Sequence, residues 1–213
     1  MTRLSKSVRR LLLIGIVVLI PTAIALVYLA GQQSRDFILD FDTGLPFLAQ
    51  AQSTPFNQTS SIMYPTSGQN TRALTAFFSS PSDPVAFTVE SQDSTLLKLS
   101  KFSGKYLFDT KPSRDILDIK FDTQITAIKL TFATVEHQGG LITMPSDILL
   151  IAYKGTELVG STRAYGSFSD DSYPQGSLQF GSGESFNWVR VSVPTQTSGT
   201  TDFLIDNITV TAS

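Results

Sequence analysis

Leu117-Asp-Ile-Lys-Phe-Asp122 and, after five residues, Ile128-Lys-Leu-Thr-Phe132 form the stretch on which the fold turns. Leu117, Ile119 and Phe121 alternate with Asp118, Lys120 and Asp122, and Ile128, Leu130 and Phe132 alternate with Lys129 and Thr131. Successive side chains on a β-strand point to opposite faces, so each run presents one buried and one wet face. No stretch after residue 31 keeps the 3.6-residue period of an amphipathic helix. Working outward, 147–153 and 157–162 flank Lys154-Gly155-Thr156 and predict a hairpin with glycine at its turn. Further strands are predicted at 177–180, at 186–193 with Val189, Val191 and Val193 on one face, and at 202–211 with Leu204, Ile208 and Val210 on one side. Weaker runs occur at 36–41, 86–90, 96–99 and 106–109. Many short strands separated by Gly, Pro and Ser predict an all-β fold, a two-sheet antiparallel sandwich, with a closed barrel as the second arrangement the pattern allows. The polar segment 50–83 reads as a long excursion from this domain.

Residues 11–30 carry no charge, thirteen of the twenty are Leu, Ile or Val, and Arg3, Lys6, Arg9 and Arg10 precede them. As a helix at ~1.5 Å per residue the run is ~30 Å long, the thickness of a bilayer's hydrocarbon core. The expected organisation is therefore a basic cytoplasmic segment 1–10, one transmembrane helix 11–30 in the lipid bilayer, a short stalk 31–35 and an extracytoplasmic domain 36–213. A secretory signal has an apolar core of about 7–15 residues and a small-x-small cleavage site. Ala23 and Ala25 have that spacing, but Leu26, Val27, Tyr28 and Leu29 would then open the mature chain. An uncleaved anchor is expected, and a secreted protein if the segment is cleaved. Both export the domain.

From Gly31 onward there are 12 Lys and Arg against 18 Asp and Glu, about −6. Such a balance argues against nucleic acid or an anionic lipid surface as partner, because both are polyanions. There is no Cys, which removes thiol catalysis and disulfides and leaves the domain to be held by its core or by a metal.

Catalytic patterns are thin. Asp42-Thr43-Gly44 matches an aspartic protease turn, yet that chemistry needs two carboxylates sharing a proton, and no second Asp-Thr-Gly or Asp-Ser-Gly occurs. His137 is the only His and sits in a Gly-rich turn, without a Gly-x-Ser-x-Gly elbow anywhere in the chain. One His and no Cys exclude the usual zinc sites. A paired-carboxylate glycosidase stays open, but no spacing singles out a pair. Tyr165, Phe168, Asp170, Asp171 and Tyr173 share one Gly/Ser-rich loop. Aromatic rings stack on the C–H faces of sugars and acids accept from hydroxyls, so this loop is the candidate glycan site; the alternative is that its aromatics fold inward and cover one end of the domain. Asn57-Gln-Thr59 and Asn207-Ile-Thr209 are glycosylation sequons, the second within a predicted strand.

Phe186-Asn-Trp-Val-Arg-Val-Ser-Val193 followed by Asp202-Phe-Leu-Ile-Asp-Asn-Ile-Thr-Val210 resembles the closing strands of galactose-binding-like jelly rolls. Phe41-Asp42-Thr43-Gly44 is similar to their opening strand, and the hairpin 148–161 fits the same pattern. Similar motifs occur in secreted bacterial proteins of the exosortase-sorted type, whose C-terminal Pro-Glu-Pro and apolar tail does not follow Val210 here. The resemblance implies a jelly-roll sandwich and a structural calcium between the first and last strands, with Asp40, Asp42, Asp206 and Asn207 at the matching positions. Calcium takes hard oxygen ligands, which loops at a sandwich edge supply readily. Three functions are compatible with these features: a non-catalytic binding module for a glycan or cell-surface ligand, a structural subunit of an envelope assembly, and a hydrolase.

Overall fold

The computed structural model describes residues 35–42, 59–66, 73–81, 87–95, 97–109, 116–136, 147–167, 172–194 and 200–212. The alternating runs at 117–122 and 128–132 are parts of one 21-residue strand, β6 (Ile116–Glu136). Its companions are β1 (Arg35–Leu39), β2 (Thr59–Pro65), β3 (Leu74–Ser79), β4 (Phe87–Ser91), β5 (Lys105–Asp109), β7 (Asp147–Lys154), β8 (Glu157–Tyr165), β9 (Gln175–Ser192) and β10 (Thr200–Ala212), with one helical turn, α1 (Gln92–Thr95). Arg35–Ala212 form one compact unit. Among the described residues no helix is long and apolar enough to cross a membrane, and the span expected at 11–30 lies outside them.

The described strands are antiparallel, in the order β4-β5-β10-β1-β2-β3-β6-β9-β7-β8, and β10 also pairs with β6. That extra pairing closes a ring of five strands, β10-β1-β2-β3-β6. The first part of β6 pairs with β3, from Asp118↔Ser79 to Phe121↔Ala76. Its later part pairs with β10, from Ile125↔Ala212 to Glu136↔Thr200. In between, its ladder with β9 slips between Lys120 and Ile125 and again before Ala127. Bulges bend a strand and raise its twist, which lets one long strand turn a corner from one layer into the other. The layers are thus joined through long strands instead of forming two separately hydrogen-bonded sheets. Leu117, Ile119, Ile128, Leu130 and Phe132 from β6 lie in one buried cluster with Val189 and Val191 from β9 and Ile208 and Val210 from β10.

Three local readings are corrected. The segment 50–83 contains β2 and β3. Their alternation is masked because Ser61 occupies a fully buried position beside Met63, while Ile62, Tyr64 and Phe77 face outward. The run at 96–99 is no strand where it is described, at 97–99. Leu99 instead joins Phe102, Tyr106, Ala133 and Leu204 in a second, smaller cluster. On β10 the pairing with β6 passes from Asp206↔Thr131 to Thr209↔Lys129, so β10 holds one residue extra. Phe203 and Ile205 face the main core before this bulge, Ile208 and Val210 after it, and Leu204 belongs to the second cluster. One inserted residue reverses the inward phase of a strand.

On the outer face, Asp118 and Arg190 are directly opposed on β6 and β9. Arg190 Nε donates to Asp118 Oδ1 at 2.8 Å and Nη2 donates to Oδ2 at 2.9 Å. Two parallel charge-assisted bonds fix geometry as well as energy. Asp118→Ala is expected to cost about 1–2 kcal/mol in urea unfolding, the low end for a charged hydrogen bond because the freed guanidinium reaches water. A double-mutant cycle with Arg190→Ala should return roughly 1 kcal/mol of coupling; a value near zero would reduce the pair to surface decoration.

Candidate functional site

Phe41, Gly104 and Asn207 all have left-handed backbones, with φ of 57°, 57° and 51°. For a bulky residue such as Phe41 this is an outlier worth about 1–2 kcal/mol of strain. The three meet at one edge of the fold, where β1 ends, where β10 carries its bulge and where the turn into β5 passes. Phe41 is buried against Phe78, with ring centroids 6.2 Å apart, and this packing holds the turn that follows β1. Pairing of Leu204 and Ile205 with Phe108 and Leu107 lays β5 beside β10 and brings 103–105 to the bulge.

Asp42 and Asp206 grip that turn. Lys105 N donates to Asp42 Oδ1 at 2.7 Å, and Ser103 N donates to Asp206 Oδ2 at 2.9 Å. Asn207 donates to Asp206 twice, from its main-chain N to Oδ1 at 2.7 Å and from Nδ2 to Oδ2 at 2.9 Å. Asp42 N donates to Asp40 Oδ1 at 3.1 Å. A methyl group on Gly104 would overlap the Asp42 carboxylate, so only glycine fits against that acid. Burial pushes the Asp206 carboxyl up to about 7, against the lowering effect of the Ser103 and Asn207 amides, and the negative charges of Asp42 and Asp40 raise it further. The four positions proposed for a metal therefore lie at one edge, within electrostatic reach of each other.

Asp40, Asp42, Asp206 and Asn207 can all offer hard oxygens, the donor type calcium takes. Among the described residues no three acids converge closely enough to hold an ion unaided. Asp42 and Asp206 would be two ligands, the Asn207 amide oxygen a third and Asp40 a fourth. When bound, the ion would neutralise the buried charge and tie β1 to β10.

The loop expected to meet glycans divides. Tyr165, at the end of β8, is 57% exposed. Tyr173 is half-buried and packs against the second core cluster, following the inward alternative. Phe168, Asp170 and Asp171 lie outside the described residues, as does His137. Asn207 of the second sequon is half-buried and engaged with Asp206.

Two outward-facing sets escaped the sequence reading. On β1, β2 and β3, Ile38, Ile62, Tyr64 and Phe77 are 36–47% exposed, and Ile38 is paired directly with Tyr64. On β6, β9 and β7, Lys120, Trp188 and Tyr153 stand in one cross-strand row. Tyr153 stacks on Trp188 at 4.4 Å, and Lys120 Nζ and the Arg190 guanidinium lie 5.2 Å and 5.3 Å from the indole centroid. Trp188 is thus engaged within the sheet, a cation–π ladder that joins three strands. The signal for the first set was present in Ile62-Met-Tyr64 and Phe77-Phe78, but only the pairing shows which member of each faces out.

No family model matches this sequence, and no curated protein matches it. The K2 cleaved adhesin domain of Lys-gingipain is similar in fold, with a TM-score of 0.52 at 9% identity over 84% of this chain and 98% of that one. At that identity the likeness speaks for fold alone. An isomalto-dextranase of Arthrobacter globiformis T6, solved with panose, aligns with 84% of this chain and 32% of its own, at a TM-score of 0.40 and 10% identity. A family 29 carbohydrate binding module solved with cellulohexaose aligns over 64% of this chain and 91% of its own, at a TM-score of 0.33 and 11% identity.

Proposed function

We propose that this chain is a non-catalytic binding module, displayed outside the cytoplasm on the anchor at 11–30, that takes glycans and carries a structural calcium at Asp40, Asp42, Asp206 and Asn207. The observation that carries the reading is the outward apolar set Ile38, Ile62, Tyr64 and Phe77, grouped on three neighbouring strands. Grouped apolar side chains left in water mark surfaces that something covers. Sugar rings offer flat C–H faces to Tyr and Phe together with hydroxyls to nearby polar groups, a chemistry that suits an acidic, uncharged-ligand surface better than it suits a polyanion. The adhesin-like fold is in keeping with this reading.

The test is a glycan array probed with the full chain in detergent, with calcium and with chelator. Binding to at least one glycan is expected, and Tyr64→Ala or Phe77→Ala should weaken it about tenfold, the loss of one ring contact of ~1.4 kcal/mol. Silence across the array, together with a stoichiometric protein partner captured by crosslinking in native membranes, would replace this reading with an assembly subunit.

A further inference from the structure

We propose that the shallow cleft on the outer face of β1, β10, β6 and β9 is the subsite that receives one ring of a neutral glycan; this rests on the glycan reading above. The cleft has a volume of about 170 Å³ and is lined by Asp36, Thr211, Thr209, Lys129, Gln179 and Ala127, among others. Two registered rows build it. One runs Asp36, Thr211, Ala127, Gly181 and the other Ile38, Thr209, Lys129, Gln179, each across the same four strands. Ala127 and Gly181 face each other with almost no side chain between them, so the surface sinks at that point. Along the second row Ile38 is paired onward with Tyr64, which is 44% exposed. The polar cleft therefore continues into the outward apolar set.

The chemistry of the lining selects the ligand class. Asp36 only accepts, Lys129 only donates, and Gln179, Thr209 and Thr211 do both. Thr211 Oγ1 donates to Asp36 Oδ1 at 2.6 Å, which holds the carboxylate in place at the rim. Sugar hydroxyls donate and accept at once, so they can satisfy a mixed set of this kind. A phosphate or sulfate would meet the Asp36 carboxylate, and an aliphatic chain would leave five polar side chains desolvated without partners. The volume is below the ~300 Å³ at which drug-sized pockets begin, and so suits one ring and not an oligosaccharide. The next ring of a longer chain would rest on Ile38 and Tyr64.

Gly181, paired with Ala127 of the cleft lining, is the position at which added bulk should crowd the cleft with least disturbance of the fold. A Cβ there meets only Ala127 Cβ at 3.8 Å and Thr126 O at 3.9 Å, ordinary contacts. The full chain in detergent, as wild type, Gly181→Val, Lys129→Ala and Tyr165→Ala, is run by affinity electrophoresis through gels holding hydroxyethyl-cellulose, xylan, galactomannan, dextran or alginate, with melting temperatures measured in parallel. Retardation by at least one neutral polymer is expected, lost tenfold or more in Gly181→Val and Lys129→Ala while their melting temperatures stay near wild type. Wild-type-like retardation of both cleft variants overturns the subsite, and if Tyr165→Ala is the variant that fails, the 165–173 loop is the site while the glycan reading stands. Retardation by alginate alone overturns the neutral class. A wild type retarded by none of the polymers and silent on the array takes both readings down together.

Discussion

Asp206→Ala should lower the melting temperature of the full chain by about 5–15 °C. The carboxylate is buried and accepts the main-chain amides of Ser103 and Asn207. Each amide left unsatisfied costs roughly 1–3 kcal/mol, and at this chain length ~1 kcal/mol moves the midpoint by ~2–4 °C. Asp206→Asn separates the roles of charge and hydrogen bonding. In excess chelator the acid is a liability at high pH. Its folded-state pKa, about 7, lies above its value in the unfolded chain, so the stability it contributes is full below about pH 4 and is lost as pH rises through 7. The chelated wild type should therefore melt lower at pH 8 than at pH 5, and Asp206→Asn should flatten that slope. If calcium binds as proposed, adding it at pH 8 should raise the melting temperature, because an ion held only by the folded state stabilises by RT ln(1 + [L]/Kd), about 2.7 kcal/mol at a hundredfold excess over Kd. A wild type indifferent to both chelator and calcium would remove the metal and leave the carboxylate as a clamp on the 103–105 turn.

Gly104→Val is expected to be comparably severe, roughly 3–5 kcal/mol, read as a fall of about 6–15 °C in the thermal midpoint. Two costs combine. The backbone at φ 57° disfavours a β-branched residue, and any Cβ there meets the Asp42 carboxylate that Lys105 N donates to. Gly155→Ala isolates the first cost. Gly155 has φ 62° in the β7–β8 hairpin with nothing near the position a Cβ would take, so about 1 kcal/mol is expected from the backbone alone. Equal losses at the two glycines would show that Asp42 is not seated against the turn as described.

Of the acid edge, the residues were legible and the arrangement was not. Asp42 and Asp206 stood out through a resemblance of short motifs at the two ends of the domain. Nothing in those motifs indicated Gly104 or Ser103, because the turn that the acids clamp reaches them through the pairing of β5 with β10. Of the loop that the sequence offered for glycans, Tyr165 is exposed, and Tyr173 turned inward because a second apolar cluster was available to it. The cleft was invisible in the sequence, since Asp36, Lys129, Gln179 and Thr211 come from four separate strands with no shared spacing.

Period-two alternation is a property of a few consecutive residues, so the sequence by itself determined that this domain is all-β. It also determined where most of the strands run and that Lys154-Gly155-Thr156 turns a hairpin. Tertiary structure alone decided that β6 spans both alternating runs, that Ser61 is a core residue and that β10 closes a ring with β6. It also decided that one extra residue at Asp206 and Asn207 reverses the inward face of the last strand. The physical reason is that strand partners, register and bulges are settled by hydrogen bonds between segments far apart in the chain, and local sequence carries only one side of each such pair.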